Sequence, residues 1–143
     1  MIALTVPMAF SSLLQQVEAL RNQDGEWRPF RPGVTAHWLY DEGNGGAAAV
    51  LLRYEPGARV ALHEHVGYEH LLVLEGDQFD EDGAYPAGSF SIHPPGTRHS
   101  PGSVGGCIAL LIYEGRSIRV RGSRNLSASR RAKLRRAPAP ALC

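Results

Sequence analysis

The sequence predicts an all-β domain, a sandwich or barrel of short antiparallel strands introduced by one short helix. Three observations carry this. The 143 residues include 16 Gly and 10 Pro, many of them grouped at intervals as turn markers. Between those groups lie apolar runs of four to nine residues, too short for the helices of a globular core. One segment alone keeps a good helical period.

That segment comes first. From Ser12 to Leu20, the residues Leu13, Leu14, Val17 and Leu20 share one face and Gln15, Gln16 and Glu18 the other, the 3.6-residue pattern of a helix lying on a core. Ser12 followed by Gln15 fits a capping box. Strands then read as VTAHWLY at 34–40, AAAVLLRYE at 47–55, VALHEH at 60–65, EHLLVLE at 69–75, SFSI at 89–92, CIALLIY at 107–113 and SIRV at 117–120. The turn signals between them are Gly43 to Gly46, Pro56-Gly57, Gly67, Asp82-Gly83, Pro94-Pro95-Gly96 and Gly105-Gly106, which supply the left-handed and proline-fixed conformations that tight turns need. Three regions are expected: residues 1–33 as helix and lead-in, 34–120 as the barrel, and 121–143 as a flexible basic tail.

Charge is divided between these regions. Residues 1–120 hold 8 Arg against all 14 acidic residues, a formal −6, whereas residues 121–143 hold 7 basic residues and no acidic one. An acidic body argues against a nucleic-acid-reading domain, so any attraction of that kind is left to the tail. No apolar run approaches the roughly 18 residues of a membrane span, and the first residues lack a basic leader region. With only Cys107 and Cys143, a disulfide framework or a cysteine zinc site is excluded, and a cytoplasmic setting is expected.

The chemistry concentrates in the middle of the chain. His63 and His65 stand two apart in a strand-like segment, so their imidazoles leave on one face. Val66-Gly67-Tyr68 has the length of a three-residue hairpin turn, which would return Glu69 beside them. His99, just after a Pro-Pro-Gly turn, is the natural fourth donor. Imidazole nitrogens and a carboxylate suit one divalent first-row ion. Other candidates are weaker. The stretch Asp77 to Gly83 puts Gln78 and Ser89 where a calcium loop needs carboxylates, and it reads as a hairpin turn. His70 has the opposite strand parity from Glu69, His37 and His93 have no partner that spacing identifies, and Cys107 reads as buried packing.

The complete spacing runs Gly57, five residues, His63, one, His65, three, Glu69, six, Gly76, and then Gly88, five, Pro94, one, Gly96, two, His99. It resembles, position for position, the two signature motifs of the cupin superfamily. Ser103 stands where many cupins have Asn, a residue that is not a metal ligand in the family. The stretches Gly67 to Gly76, Asp80 to Gly83, Tyr85 to Gly88 and Gly106-Cys107 are similar to the C-terminal cupin of ChrR-type anti-sigma factors and to related stand-alone cupins. The zinc-binding, sigma-binding module of those regulators has no matching Cys and His pattern upstream of Trp27, so a sigma-factor role is not carried over.

The resemblance implies a jelly-roll β-barrel of two antiparallel sheets holding one divalent ion (Fe, Zn, Mn or Ni) on His63, His65, Glu69 and His99. It also implies a homodimer, toward which the apolar residues Trp27, Phe30 and Trp38 would contribute, and a small-molecule ligand or substrate. Two functions follow from it. One is an Fe(II)-dependent enzyme of the dioxygenase type; the other is a non-catalytic ChrR-like module that senses or carries a small molecule. Because free histidine titrates near a pKa of about 6.5, protons should displace the ion on acidification, with holo and apo melting curves converging toward pH 5 or so.

Overall fold

The computed structural model describes residues 10–120. Helix α1 spans Phe10–Arg21, and a single 3₁₀ turn at Asp24–Glu26 leads into ten strands. These are β1 (Arg28–Arg31), β2 (Val34–Asp41), β3 (Ala48–Tyr54), β4 (His63–Glu64), β5 (Glu69–Phe79), β6 (Ala84–Pro86), β7 (Phe90–His93), β8 (Arg98–His99), β9 (Cys107–Tyr113) and β10 (Ile118–Arg119). The basic segment from 121 onward, expected as a tail, lies outside the described residues. Among the described residues no helix is long and apolar enough to cross a membrane.

Two antiparallel sheets make up the fold. The larger runs β1-β2-β3-β9-β5-β6, with β7 also paired to β5; the smaller runs β10-β4-β8. The hydrogen-bonded ladder is therefore not closed into a continuous barrel. Strand β3 explains the architecture, since its sequence AAVLLRY is buried at every position but Arg53. Alternate side chains leave a strand on opposite faces, and here both faces are covered. Inward, Val50, Leu52 and Tyr54 join Val34, Leu71, Val73 and Leu111 in the core between the sheets. Outward, Leu51 joins Ile108 and Leu74 beneath Val17 and Leu20 of the helix, with Trp27 closing the edge. The Trp27 indole N–H donates to Leu20 O at 2.9 Å, and the Arg53 guanidinium lies 4.6 Å from the indole centroid. The apolar stripe of the helix is thus buried on the outside of the sheet, leaving the inside free for a site.

The expected hairpin from His65 to Glu69 is not formed. Strand β4 has only two residues and pairs with β8 and β10, while β5 pairs with β6, β7 and β9 in the other sheet. Residues 65–68 cross from one sheet to the other. Glu69 meets the histidines face to face across the interior rather than side by side along a ladder.

Candidate metal centre

Two ladders and one turn assemble the site. In the smaller sheet His63 stands directly opposite His99, and directly opposed residues project on one face. His65 lies just past the end of β4 and is tied to the Pro-Pro-Gly turn by its own N–H donating to Thr97 O at 2.9 Å and by Gly96 N–H donating to its carbonyl at 2.8 Å. The turn signal between the two sequence motifs therefore serves as the mount for His65. Glu69 opens β5 in the larger sheet and faces inward. All four residues are brought together: a donor atom from each of His63, His65, Glu69 and His99 lies within 4.8 Å of every other. His65 is 2% exposed, His99 4% and Glu69 5%.

Hydrogen bonds on the far side of each ring decide which nitrogen faces the centre. The His63 Nδ1–H donates to Ala61 O at 3.1 Å, since a carbonyl only accepts. The Thr97 hydroxyl donates to Pro94 O at 2.6 Å, so it accepts the Nδ1–H of His65 at 2.9 Å. The Nδ1–H of His99 donates to Asp80 Oδ2 at 3.2 Å. Burial works to raise the Asp80 pKa, but donation from the Asp82 N–H, from His99 and from the Tyr85 hydroxyl outweighs it and holds the group below the ordinary carboxylate value. Each ring is thus fixed as the Nδ1–H tautomer with its Nε2 lone pair turned inward.

The result is a buried concentration of electron pairs. His65 Nε2 is 3.2 Å from His99 Nε2 and 3.3 Å from Glu69 Oε1, and His99 Nε2 is 3.7 Å from that oxygen. Neutral imidazoles oriented this way have no proton to offer one another, so the arrangement is repulsive without a cation. Two donors each about 2.1 Å from one ion would stand roughly 3.0 Å apart at a right angle and roughly 3.4 Å apart at the tetrahedral angle. The two separations from His65 fall in that range and the third, 3.7 Å, lies just beyond it, so the donor set fits a divalent ion.

Burial opposes protonation of the rings. It lowers the pKa of His63 despite the Ala61 carbonyl and Glu69, and it takes His99 down to about 4 despite Glu69 and Asp80. These two rings are thereby biased toward the neutral form that can bind a metal.

Beside the donors lies a cavity of about 380 Å³, into which His63, Glu69 and His99 open. Its apolar walls include Phe30, Trp38, Leu52, Val60, Leu71 and Leu111, and the hydroxyl-bearing Tyr54 and Tyr113 line it as well. A volume of this order suits a small organic molecule.

Several participants escaped sequence reasoning. Asp80 belongs to the acidic turn read only as a hairpin. That turn is present, with Asp80 N–H donating to Gly83 O at 2.9 Å, and it also carries the carboxylate that orients His99. Thr97 lies inside the second motif but has no ligating atom of its own to draw notice. His93 is paired in register with Glu69; its ring is 5.1 Å from that of His65 and 4.5 Å from that of His99. With Asp80 and His99 it forms a second group of three potential donors. His70 stacks between Tyr68 and Phe90. The Nδ1–H of His37 donates to Glu26 O at 2.9 Å, and Cys107 is buried, its thiol pKa raised by burial to about 11.

The model of the ChrR cupin-like domain matches residues 15–116. Among similar solved structures is that of Rhodobacter sphaeroides SigE in complex with the anti-sigma ChrR, at 28% identity over 77% of this chain and 70% of that one, with a TM-score of 0.58. An RmlC-like cupin from Ralstonia eutropha JMP134 is 24% identical over 71% of each chain, with a TM-score of 0.62. An acetylacetone dioxygenase from Acinetobacter johnsonii is 15% identical over 82% of this chain and 77% of that one, with a TM-score of 0.61. Identities as low as the last two speak for the cupin fold alone. No curated protein matches the chain.

Proposed function

The chain belongs to the ChrR cupin-like domain family, and from that premise we propose that it is a mononuclear metal-binding cupin acting on a small molecule, with chemistry of the dioxygenase type. The observation that carries this reading is the convergence of three inward Nε2 lone pairs and the Glu69 carboxylate beside a cavity of about 380 Å³. His63, His65, Glu69 and His99 would hold one ion such as Fe, Zn, Mn or Ni. A bound ion of this kind supplies Lewis acidity and a template for a substrate oxygen.

The protein's own residues define the rest. Ala61 O, Thr97 and Asp80 hold the three rings in place, so the donors need little reorganisation on binding. Phe30, Trp38, Leu52 and Leu71 line the cavity and would exclude water from a bound ligand. Tyr54, 4% exposed, has its pKa raised by burial and by the neighbouring Cys107 and Glu69. It therefore remains a protonated phenol, able to donate a hydrogen bond to a ligand oxygen.

A second reading has its own support in the 28% identity with the SigE–ChrR complex: a regulatory cupin that binds the same kind of ligand without turnover. One experiment separates the two. Protein purified without oxygen and reconstituted with Fe(II) is expected to carry one ion per chain by elemental analysis and to consume oxygen with at least one of a set of small diketones, phenols and thiols. Saturable binding of such a compound with no oxygen uptake would favour the regulator, and a chain that stays metal-free after reconstitution would overturn both.

A further inference from the structure

The cavity is lined by cations although the body around it is acidic. Residues 1–120 carry a formal −6 with 8 Arg among them, yet Arg31, Arg116 and Arg119 all line this cavity and Glu69 is its only carboxylate among the described residues. Arg116 is already paired with Asp41 at 3.1 Å. The other two have no salt bridge to any carboxylate among the described residues, in a body that offers 14 of them. Both are aimed by the backbone. Arg119 is the register partner of His63 across β10 and β4, so its side chain leaves on the same face as that ligand candidate. Arg31 follows a shift in register between Pro29 and Arg31 on β1; such an irregularity breaks strict alternation and lets the consecutive residues Phe30 and Arg31 both line the cavity. The Arg31 guanidinium lies 4.4 Å from the Phe30 ring centroid, and its charge reaches both His63 and Tyr54.

We infer that the cavity takes a small organic carboxylate, its anionic end held by Arg31 and Arg119 and its apolar body set between Phe30, Trp38 and the aliphatic wall. The guanidinium fork matches a carboxylate in two parallel hydrogen bonds. Apolar and aromatic residues make up most of the remaining lining, which favours a compact carbon skeleton over a heavily hydroxylated one. The inference deepens the functional reading and rests on it in taking this cavity as the ligand site.

Calorimetric titration of the full chain with benzoate and with its neutral isostere benzamide tests it, in chelator-treated and in metal-loaded protein. Benzoate is expected to bind the chelator-treated protein at least about tenfold more tightly than benzamide. Arg31→Gln and Arg119→Gln should each weaken benzoate by about tenfold and leave benzamide unchanged, as expected for loss of one charge-assisted contact. Arg28→Gln, an exposed change on β1 outside the cavity, should alter neither, and melting curves confirm that each variant is folded. Equal binding of the two compounds, no binding of either, or benzoate held only by metal-loaded protein and indifferent to both arginines would overturn the inference. Metal content is measured on the same samples, so a chain that takes benzoate through its arginines but never holds an ion would sink the metal reading alone.

Discussion

Each imidazole of the cluster is oriented through its Nδ1–H by an acceptor from a different place in the chain: Ala61 O, Thr97 Oγ1 and Asp80 Oδ2. The acceptors differ in strength, because only Asp80 is charged. An ionised partner makes its ring a better ligand, and removing such an outer contact typically weakens metal binding by about 10- to 100-fold. Asp80→Asn is therefore expected to reduce metal affinity by about tenfold or more, measured by competition with a chelating dye. The melting temperature of the metal-free protein should change little, since the amide can still accept from Asp82 N–H. Wild-type affinity in that variant would mean that His99 is oriented by packing alone. His65→Ala should be more severe and abolish most binding, because it removes an inward lone pair outright. The clustering of His63, His65, Glu69 and His99 was legible in the sequence because their spacing is local to two short motifs. Asp80 was not, since an acidic hairpin turn is usually solvated, and only the fold brings this one beneath His99 with a side chain 4% exposed. His93 was hidden for a related reason: its partner Glu69 lies across the β5–β7 ladder, which no short-range pattern encodes.

At the scale of elements, long strands were easier to read than short ones. Strand β9 coincides with the apolar run CIALLIY, whereas the expected strand at 60–65 contracts to His63–Glu64. A two-residue strand has no alternation to detect, and β8 and β10 are equally brief. His63 and His65 both reach the cluster, as the parity argument expected, although His65 lies past the end of β4 and is held there by the Pro-Pro-Gly turn. The hairpin argument failed because Val66-Gly67-Tyr68 bridges two sheets, and turn length alone does not distinguish a hairpin from a crossing. Strand β5 shows what a motif glycine does. Gly76 has φ +73, and a Cβ there would collide with the Gly106 carbonyl oxygen and come within 3.0 Å of Cys107 Cα. Both obstacles are backbone of the neighbouring β9 edge and cannot swing aside. Gly88, at φ +90, has open space where its Cβ would go. Gly88→Ala is then expected to cost about 1 to 2 kcal/mol, the conformational term alone. Gly76→Ala adds displacement of a strand and should cost about 4 kcal/mol or more, in the range where small domains fail to fold. Urea midpoints measure the contrast, and equal costs would show that β5 and β9 separate easily at this point.

For the molecule as a whole, the site couples stability to pH, and the sign follows from burial. In the folded chain burial takes the His99 pKa down to about 4 against the opposing influence of Glu69 and Asp80, while an unfolded histidine titrates near a pKa of about 6.5. Between those values the unfolded state binds the proton and the folded state refuses it, so folding stability falls as pH falls. The loss begins near pH 6.5 or so and is complete by about pH 4, and a difference of that size is on the order of 3 kcal/mol for this one residue. His63, whose pKa is also lowered by burial, adds to the slope in the same direction. A bound ion adds stability to the folded state only while the inward nitrogens are unprotonated. Free-histidine chemistry alone would bring holo and apo melting temperatures together toward pH 5 or so. The depressed pKa of His99 carries its part of that convergence lower, because metal-free folded protein keeps this ring neutral until about pH 4. Melting curves with and without chelator are therefore expected to be well separated near pH 7.5 or so, to fall together through mild acid, and to merge by about pH 4. His99→Asn should flatten the acid decline of the metal-free protein. A holo–apo separation that stays constant down to that pH would mean that the ion is not held mainly by histidines.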